Sequence, residues 1–236
     1  VYSGERIAQL AEALRAHGQK CGRKAYLIAD EPYREIVYSG VEVPPLLAAY
    51  QEAIVVTSYS KSLSLPGERI GYIAVNPAAD DVDELLGALG WATRVLGYVN
   101  APALMQRIVG EIVDARVDTD IYARRRDAFI SVLDDAGIEY ANPQGAFYLF
   151  CRVPSKSGAA AGDAGTADNA GTADDIADNA ADDIAFVKAL KEQLILSVPG
   201  TGFGAPGWFR LSYCVDESII ESSRSAFKKA VADWLK

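Results

Sequence analysis

The sequence predicts an α/β fold. Two observations lead there: short apolar runs of strand length end on turn residues, and they alternate with stretches of helical periodicity. A third is size, since 236 residues of which half are apolar can bury a sizeable core in one large domain or two small ones.

The elements follow in order. Ser3 is a suitable N-cap, Ile7, Leu10 and Leu14 share one helical face, and Gly18 is the expected stop. Lys24 to Ala29 reads as a short buried strand ending at Asp30, Ala53 to Thr57 as a second ending at Ser58, and Ile70 to Val75 as a third closed by Asn76-Pro77. Asp81 to Leu96 is helical in pattern. Pro102 opens a longer helix through Met105, Ile108 and Ile112, extended as far as Leu133 and closed by Gly137. Ala146 to Val153 is a strand rich in Phe and Tyr. Residues 155–183 are mostly Ala, Gly, Asp, Asn and Thr, with Gly-Thr-Ala-Asp occurring twice. So little apolar surface does not offset ordering entropy, which predicts a mobile acidic loop before a helix from Asp183 to Gln193. Two copies of a tetrapeptide do not make a repeat protein. A short strand (Leu194 to Val198), a glycine-rich turn, a strand (Trp208 to Cys214) and an amphipathic helix (Glu217 to Leu235) complete the chain.

Charge and composition exclude several function classes. The net charge is −9, much of it in the acidic segment, and no basic stripe invites nucleic acid. Cys21, Cys151 and Cys214 are odd in number and in no metal-ligand spacing, which fits a reduced, cytoplasmic compartment. His17 stands alone, against a histidine metal site or a Ser-His-Asp triad. No apolar run reaches the roughly 18 residues of a membrane span. Val1 has no Met before it, so a processed, trimmed or partial chain is expected.

Three clusters carry chemistry. The run from Ser58 through Lys61 to Arg69 follows a buried strand, where open α/β sheets place ligands. Its hydroxyls and guanidinium suit a phosphate, and its amine can form a Schiff base with an aldehyde. On spacing alone, a serine-rich loop with a lysine is more often an ordinary solvated loop. Asp30 stands at another strand end and can hold a pyridine nitrogen protonated, with Tyr33 in reach of a ring oxygen. Asp30 can also be a turn residue and Tyr33 a half-buried aromatic. Arg210 lies in an apolar strand and calls for an anionic partner, an internal acid or a substrate carboxylate.

These stretches carry a resemblance. Ala29-Asp30-Glu31-Pro32-Tyr33, Ser58-Tyr59-Ser60-Lys61 with Arg69-Ile70-Gly71-Tyr72, Gln144-Gly145-Ala146-Phe147-Tyr148, and Pro199-Gly200 through Phe203-Gly204 to Arg210-Leu211-Ser212 resemble, in order, the motifs of class I/II aminotransferases of pyridoxal-phosphate (PLP) fold type I. The resemblance implies that Lys61 bonds the cofactor and moves the proton, Asp30 pairs with the pyridinium, and Tyr33 bonds the ring oxygen. Ser58, Ser60 and Arg69 would hold the phosphate, and Arg210 the substrate α-carboxylate. It implies part of a PLP-transferase large domain over residues 1–112, with a mixed, mainly parallel sheet, and an α+β small domain over 113–236.

The family's N-terminal motifs do not precede Val1, so an incomplete chain with exposed sheet faces and weak activity alone is expected, with a homodimer as the complete enzyme. The expected substrates are an L-amino acid and a 2-oxo acid. A PLP-dependent carbon–sulfur β-lyase of the same fold and a non-catalytic sensor domain are the alternatives. Tyr2, Tyr38 and Phe147 are candidates for a pocket wall or for the core.

Overall fold

The computed structural model describes residues 1–38, 40–155 and 173–236, with side chains of the last stretch from residue 182 onward. The chain forms two units, residues 1–117 with 144–146, and residues 118–143 with 147–236.

The first unit opens with α1 (Gly4–Cys21), capped by the Ser3 hydroxyl accepting from the Arg6 N–H. The helix runs through Gly18 and stops at Gly22, which takes the left-handed conformation (φ 63°). The stop is thus later than the sequence suggested, because a left-handed residue and not a glycine as such ends a helix. Then come β1 (Leu27–Asp30), α2 (Leu46–Ala49), β2 (Ala53–Ser58), α3 (Tyr59–Ser62), a 3₁₀ turn at Pro66–Glu68, and β3 (Gly71–Val75). Helices α4 (Val82–Val95) and α5 (Ala103–Glu111) follow.

The sheet is mixed, in order β1-β2-β3, with β1 parallel and β3 antiparallel to β2. One face carries Leu27, Ala29 and Val55 against Ile7, Ala11, Leu14, Leu46 and Tyr50. The opposite face leaves Ile28 63% and Ile73 43% exposed. So β1 and β3 are not the buried strands that their apolar content suggested: each has only one neighbour strand here and one covered face. Asn76, where the third strand ends, is buried because its side-chain amide donates to Leu47 O and Tyr50 O and its oxygen accepts from the Ala78 N–H.

The second unit holds α6 (Thr119–Ala136), β4 (Tyr140–Ala141), β5 (Tyr148–Arg152), α7 (Ala173–Glu192), β6 (Val198–Pro199), a 3₁₀ turn at Gly200–Phe203, β7 (Trp208–Ser212), α8 (Glu217–Ser222) and α9 (Arg224–Trp234). The expected single helix from Pro102 to Leu133 is two. Asp118 breaks it, its carboxylate accepting from the Asp120 N–H as the cap of α6. The mobile-loop expectation lies outside the described residues over 156–172, and α7 starts well before Asp183 because its opening is rich in alanine, the strongest helix former. Leu194 takes a left-handed φ of 62° and begins no strand, so the strand there shrinks to β6. Ser223 divides the last helix in two.

The second sheet is antiparallel throughout, in order β4-β5-β7-β6. Its strands alternate. Leu149 and Cys151 of β5 and Phe209 and Leu211 of β7 are buried, with Phe186 edge-on to Phe209, and Phe129 of α6 meets Phe227 of α9 in the same way. Burial pushes the Cys151 thiol far above its ordinary range, so it stays protonated. Arg224 ties α9 to α6, donating to Ser131 O (3.0 Å) and Asp135 Oδ2 (2.6 Å) while also holding Glu221.

Two expectations follow. An ideal Cβ on Gly71 would stand 2.3 Å from Thr57 O. Gly71→Ala therefore forces β3 off β2, at about 1–3 kcal/mol, and the urea midpoint drops; Gly67→Ala, with nothing within 4 Å, leaves it near wild type. Equal midpoints for the two variants would refute the close-approach account.

The Asp135 carboxyl is held below its ordinary range, first by the hydrogen bond from Arg224 and then by Lys228. A depressed carboxyl adds stability that is whole above its ordinary value of about 3.9 and vanishes as pH falls through the folded value. Wild type should therefore lose thermal stability below about pH 4 more steeply than Asp135→Asn; parallel melting curves across that range would sink the linkage.

Candidate active site

Lys61 lies in α3, a single turn that begins where β2 ends. The turn is locked at its base. The Tyr59 N–H donates to Ile70 O (3.1 Å), and Tyr59 O accepts from both Leu63 N–H and Leu65 N–H. Ser58 precedes the turn in extended conformation, and its hydroxyl makes no cap bond. Burial, then the neighbouring Tyr72, raises the Tyr59 hydroxyl above its ordinary range.

Asp30 is the last residue of β1, and the parallel register sets it opposite Val56, two residues before Ser58. Strands β1 and β2 thus end side by side, and the chain leaves both at the same edge. Glu31 N–H donates to Val56 O (2.8 Å) and Thr57 Oγ1 donates to Glu31 O (3.1 Å), which pins the turn that carries Tyr33. Lys61 Nζ lies 5.8 Å from the centroid of the Tyr33 ring, within reach of a cation–π attraction. No cation pairs with Asp30 among the described residues.

Arg69 follows the 3₁₀ turn in left-handed conformation (φ 52°, ψ 49°), which costs a non-glycine residue about 1–3 kcal/mol. Its Nη1 donates to Pro66 O (2.9 Å), leaving the rest of a five-donor fork available. Strain of this kind persists where the neighbours over-determine it, and here Gly71 presses against β2 immediately after it. Ser60 is part-exposed within α3.

The first unit thus brings Asp30, Tyr33, Ser58, Ser60 and Lys61 to one end of its sheet. A cavity of about 190 Å³ opens nearby, between Glu31-Pro32 and Ser58-Tyr59. Neither Lys61, Asp30 nor Arg69 lines it, and its two guanidiniums are already engaged, Arg34 with Glu31 (2.9 Å) and Arg116 with Glu35 (3.0 Å). Of the three candidate wall residues, Tyr38 is buried with its hydroxyl donating to Ala146 O (2.6 Å), Phe147 is buried beside Tyr122, and Tyr2 is 76% exposed.

Arg210 belongs to the second unit and has a setting of its own. Alternation along β7 places it on the side away from the core, across from Phe150 of β5. Of the two anionic partners considered for Arg210, the internal acid is not seen: no Asp or Glu pairs with it among the described residues. Two rings flank its guanidinium instead, Tyr148 and Phe203, each with its centroid 4.4 Å from Cζ. Sequence reading gave neither ring a part, because the pairing of β5 with β7 and the approach of the Phe203 turn are not local properties. Gly71 was likewise read only as a motif residue.

Comparison with known proteins extends these observations. The family model for aminotransferase class I and II matches residues 6–227. An LL-diaminopimelate aminotransferase of Nitratidesulfovibrio vulgaris is 30% identical over 89% of this chain and 49% of its own. A solved amino transferase structure from Eubacterium rectale is 39% identical with a TM-score of 0.86, covering 100% of this chain and 53% of that one. An α-aminoadipate aminotransferase structure from Thermus thermophilus, complexed with N-(5'-phosphopyridoxyl)-L-leucine, shares the fold at TM-score 0.70 and 21% identity, over 98% of this chain and 55% of that one. The chain spans about half the length of the curated relatives it matches. With the lysine turn, the paired strand ends and a match along almost the whole sequence in agreement, the chain belongs to the class I and II aminotransferase family.

Proposed function

We propose that the protein is a PLP-dependent aminotransferase, moving an amino group between an L-amino acid and a 2-oxo acid, with Lys61 as its catalytic residue. The observation that carries the reading is the placement of Lys61 in one turn at the carboxyl end of β2, beside the end of β1 that bears Asp30. Residues 1–112 serve in this reading as part of the cofactor-binding large domain and residues 113–236 as the small domain.

The residues present fit the cofactor. Asp30 is a carboxylate with no cation paired to it among the described residues, as a partner for a protonated ring nitrogen requires. The Ser58 hydroxyl is uncommitted to capping, and Arg69 keeps N–H groups beyond the one on Pro66 O, as a phosphate requires. When bound, pyridoxal phosphate supplies an aldehyde for a primary amine and a cationic ring that withdraws electrons from the substrate α-carbon.

The chain's own groups do the rest. Asp30 holds the ring nitrogen protonated. Tyr33 donates its hydroxyl proton toward the ring oxygen. Ser58, Ser60 and Arg69 fix the phosphate and so the orientation of the whole group. Lys61 Nζ would move the proton between the substrate α-carbon and the cofactor's aldehyde carbon on the other side of the amino nitrogen, general acid–base work for an amine. Arg210 binds the α-carboxylate through a two-pronged contact that no lysine can copy.

A homodimer belongs to the same reading. It is supported by the apolar surface near α4 and α5, where Trp91, Leu96, Tyr98 and Leu104 are each more than two-thirds exposed at 69%, 71%, 74% and 68%. A cytoplasmic location rests on Cys21, Cys151 and Cys214 forming no disulfide among the described residues. Among the described residues no helix is long and apolar enough to cross a membrane.

Borohydride reduction of the protein with pyridoxal phosphate, followed by peptide mapping, should place the pyridoxyl mass on Lys61 and lose it in Lys61→Ala. Label spread over other lysines, or unchanged in the variant, rejects the assignment. With an amino acid and 2-oxoglutarate, glutamate should form; pyruvate and ammonia would point to a β-lyase instead.

A further inference from the structure

We propose that Phe203 and Tyr148 are positioning residues for Arg210, holding its guanidinium so that all of its N–H groups stay available to the substrate carboxylate. This deepens the reading of Arg210 as the carboxylate-binding residue and rests on it.

A strand-borne arginine is usually steadied by an acid. An acid would occupy the same N–H groups that a substrate carboxylate needs, since the guanidinium has five donors and no acceptor. A ring face attracts the cation without taking a hydrogen bond. Arg210 has two such rings, each with its centroid 4.4 Å from Cζ, and no acid partner among the described residues. Tyr148 reaches it diagonally across the β5–β7 ladder, whose register sets Arg210 opposite Phe150.

Phe203 comes from another element, and that element is tightly fixed. The fully buried Asp183 accepts from the Thr201 N–H (2.7 Å) and the Thr201 hydroxyl (2.9 Å), tying the turn to α7. Gly200 admits no side chain, since a Cβ would stand 2.2 Å from Ala205 O. Phe150, stacked on Trp208 at 5.6 Å, meets Phe203 edge-on at 6.3 Å. Yet Phe203 itself is 48% exposed. A large aromatic held this firmly while half exposed is not placed by burial alone, and its contact with Arg210 accounts for its position.

The test uses the PLP-loaded protein and the Arg210 side-chain Nε–H signal in ¹⁵N-correlated NMR, identified by its loss in Arg210→Lys. Ring currents should displace this signal from the ordinary arginine position. Phe203→Leu should move it back and weaken 2-oxoglutarate binding, followed by the same signal, roughly tenfold. Phe203→Tyr, which keeps the ring, should restore both. A Phe203→Leu protein that binds 2-oxoglutarate as tightly as wild type overturns the positioning role. A wild-type signal that 2-oxoglutarate does not move overturns the carboxylate role of Arg210 itself, and the inference with it.

Discussion

The parallel pairing of β1 with β2 is the constraint on which the first unit depends. Parallel strands end at the same edge, so Asp30 and Ser58 leave the sheet together. Were the register shifted by one residue, Ile28 and Asp30 would exchange faces with Leu27 and Ala29, and the contact with α1 would be lost. Packing under the sheet and chemistry at its edge are therefore set by one register. The antiparallel return of β3 adds to it, because the close approach at Gly71 seats the strained Arg69 next to the Lys61 turn.

The second unit solves a different problem. It must present a cation on a sheet whose other face is a dense aromatic core. Alternation does this without placing charge in the interior: Phe209 and Leu211 point inward while Trp208 and Arg210 point outward. Asp183, a buried acid of this unit, holds the Thr201 turn and not Arg210. An anion taken out of water needs hydrogen bonds, and a backbone N–H with a hydroxyl supplies them.

Legibility differed by type of feature. Strand ends were readable at Asp30, Ser58 and Asn76, because turn chemistry is local. Helix limits were less so. Gly18 was read as a stop while Gly22 is the stop, since both are glycines and only the backbone angle separates them. The break at Asp118 was missed under a continuous apolar pattern, although an Asp-Thr pair is itself a capping signal. The solvation of Arg210 was also present in the alternation of Trp208 to Ser212. It was overlooked because the apolar content of the run outweighed its period.

The sequence by itself determined which residues could do chemistry: an amine after a strand, a carboxylate after another, hydroxyls and a guanidinium between, and their order along the chain. Those depend on residue type and short spacing, which are local. Only the tertiary structure decided that β1 and β2 lie parallel and adjacent, that Lys61 stands over Tyr33, and that the rings of Tyr148 and Phe203 flank the Arg210 guanidinium. Apart from Phe203, which lies seven residues before Arg210, these contacts join segments far apart in the chain. Such contacts form when whole faces are buried together, and that free energy belongs to the assembled core, which no short stretch of sequence contains.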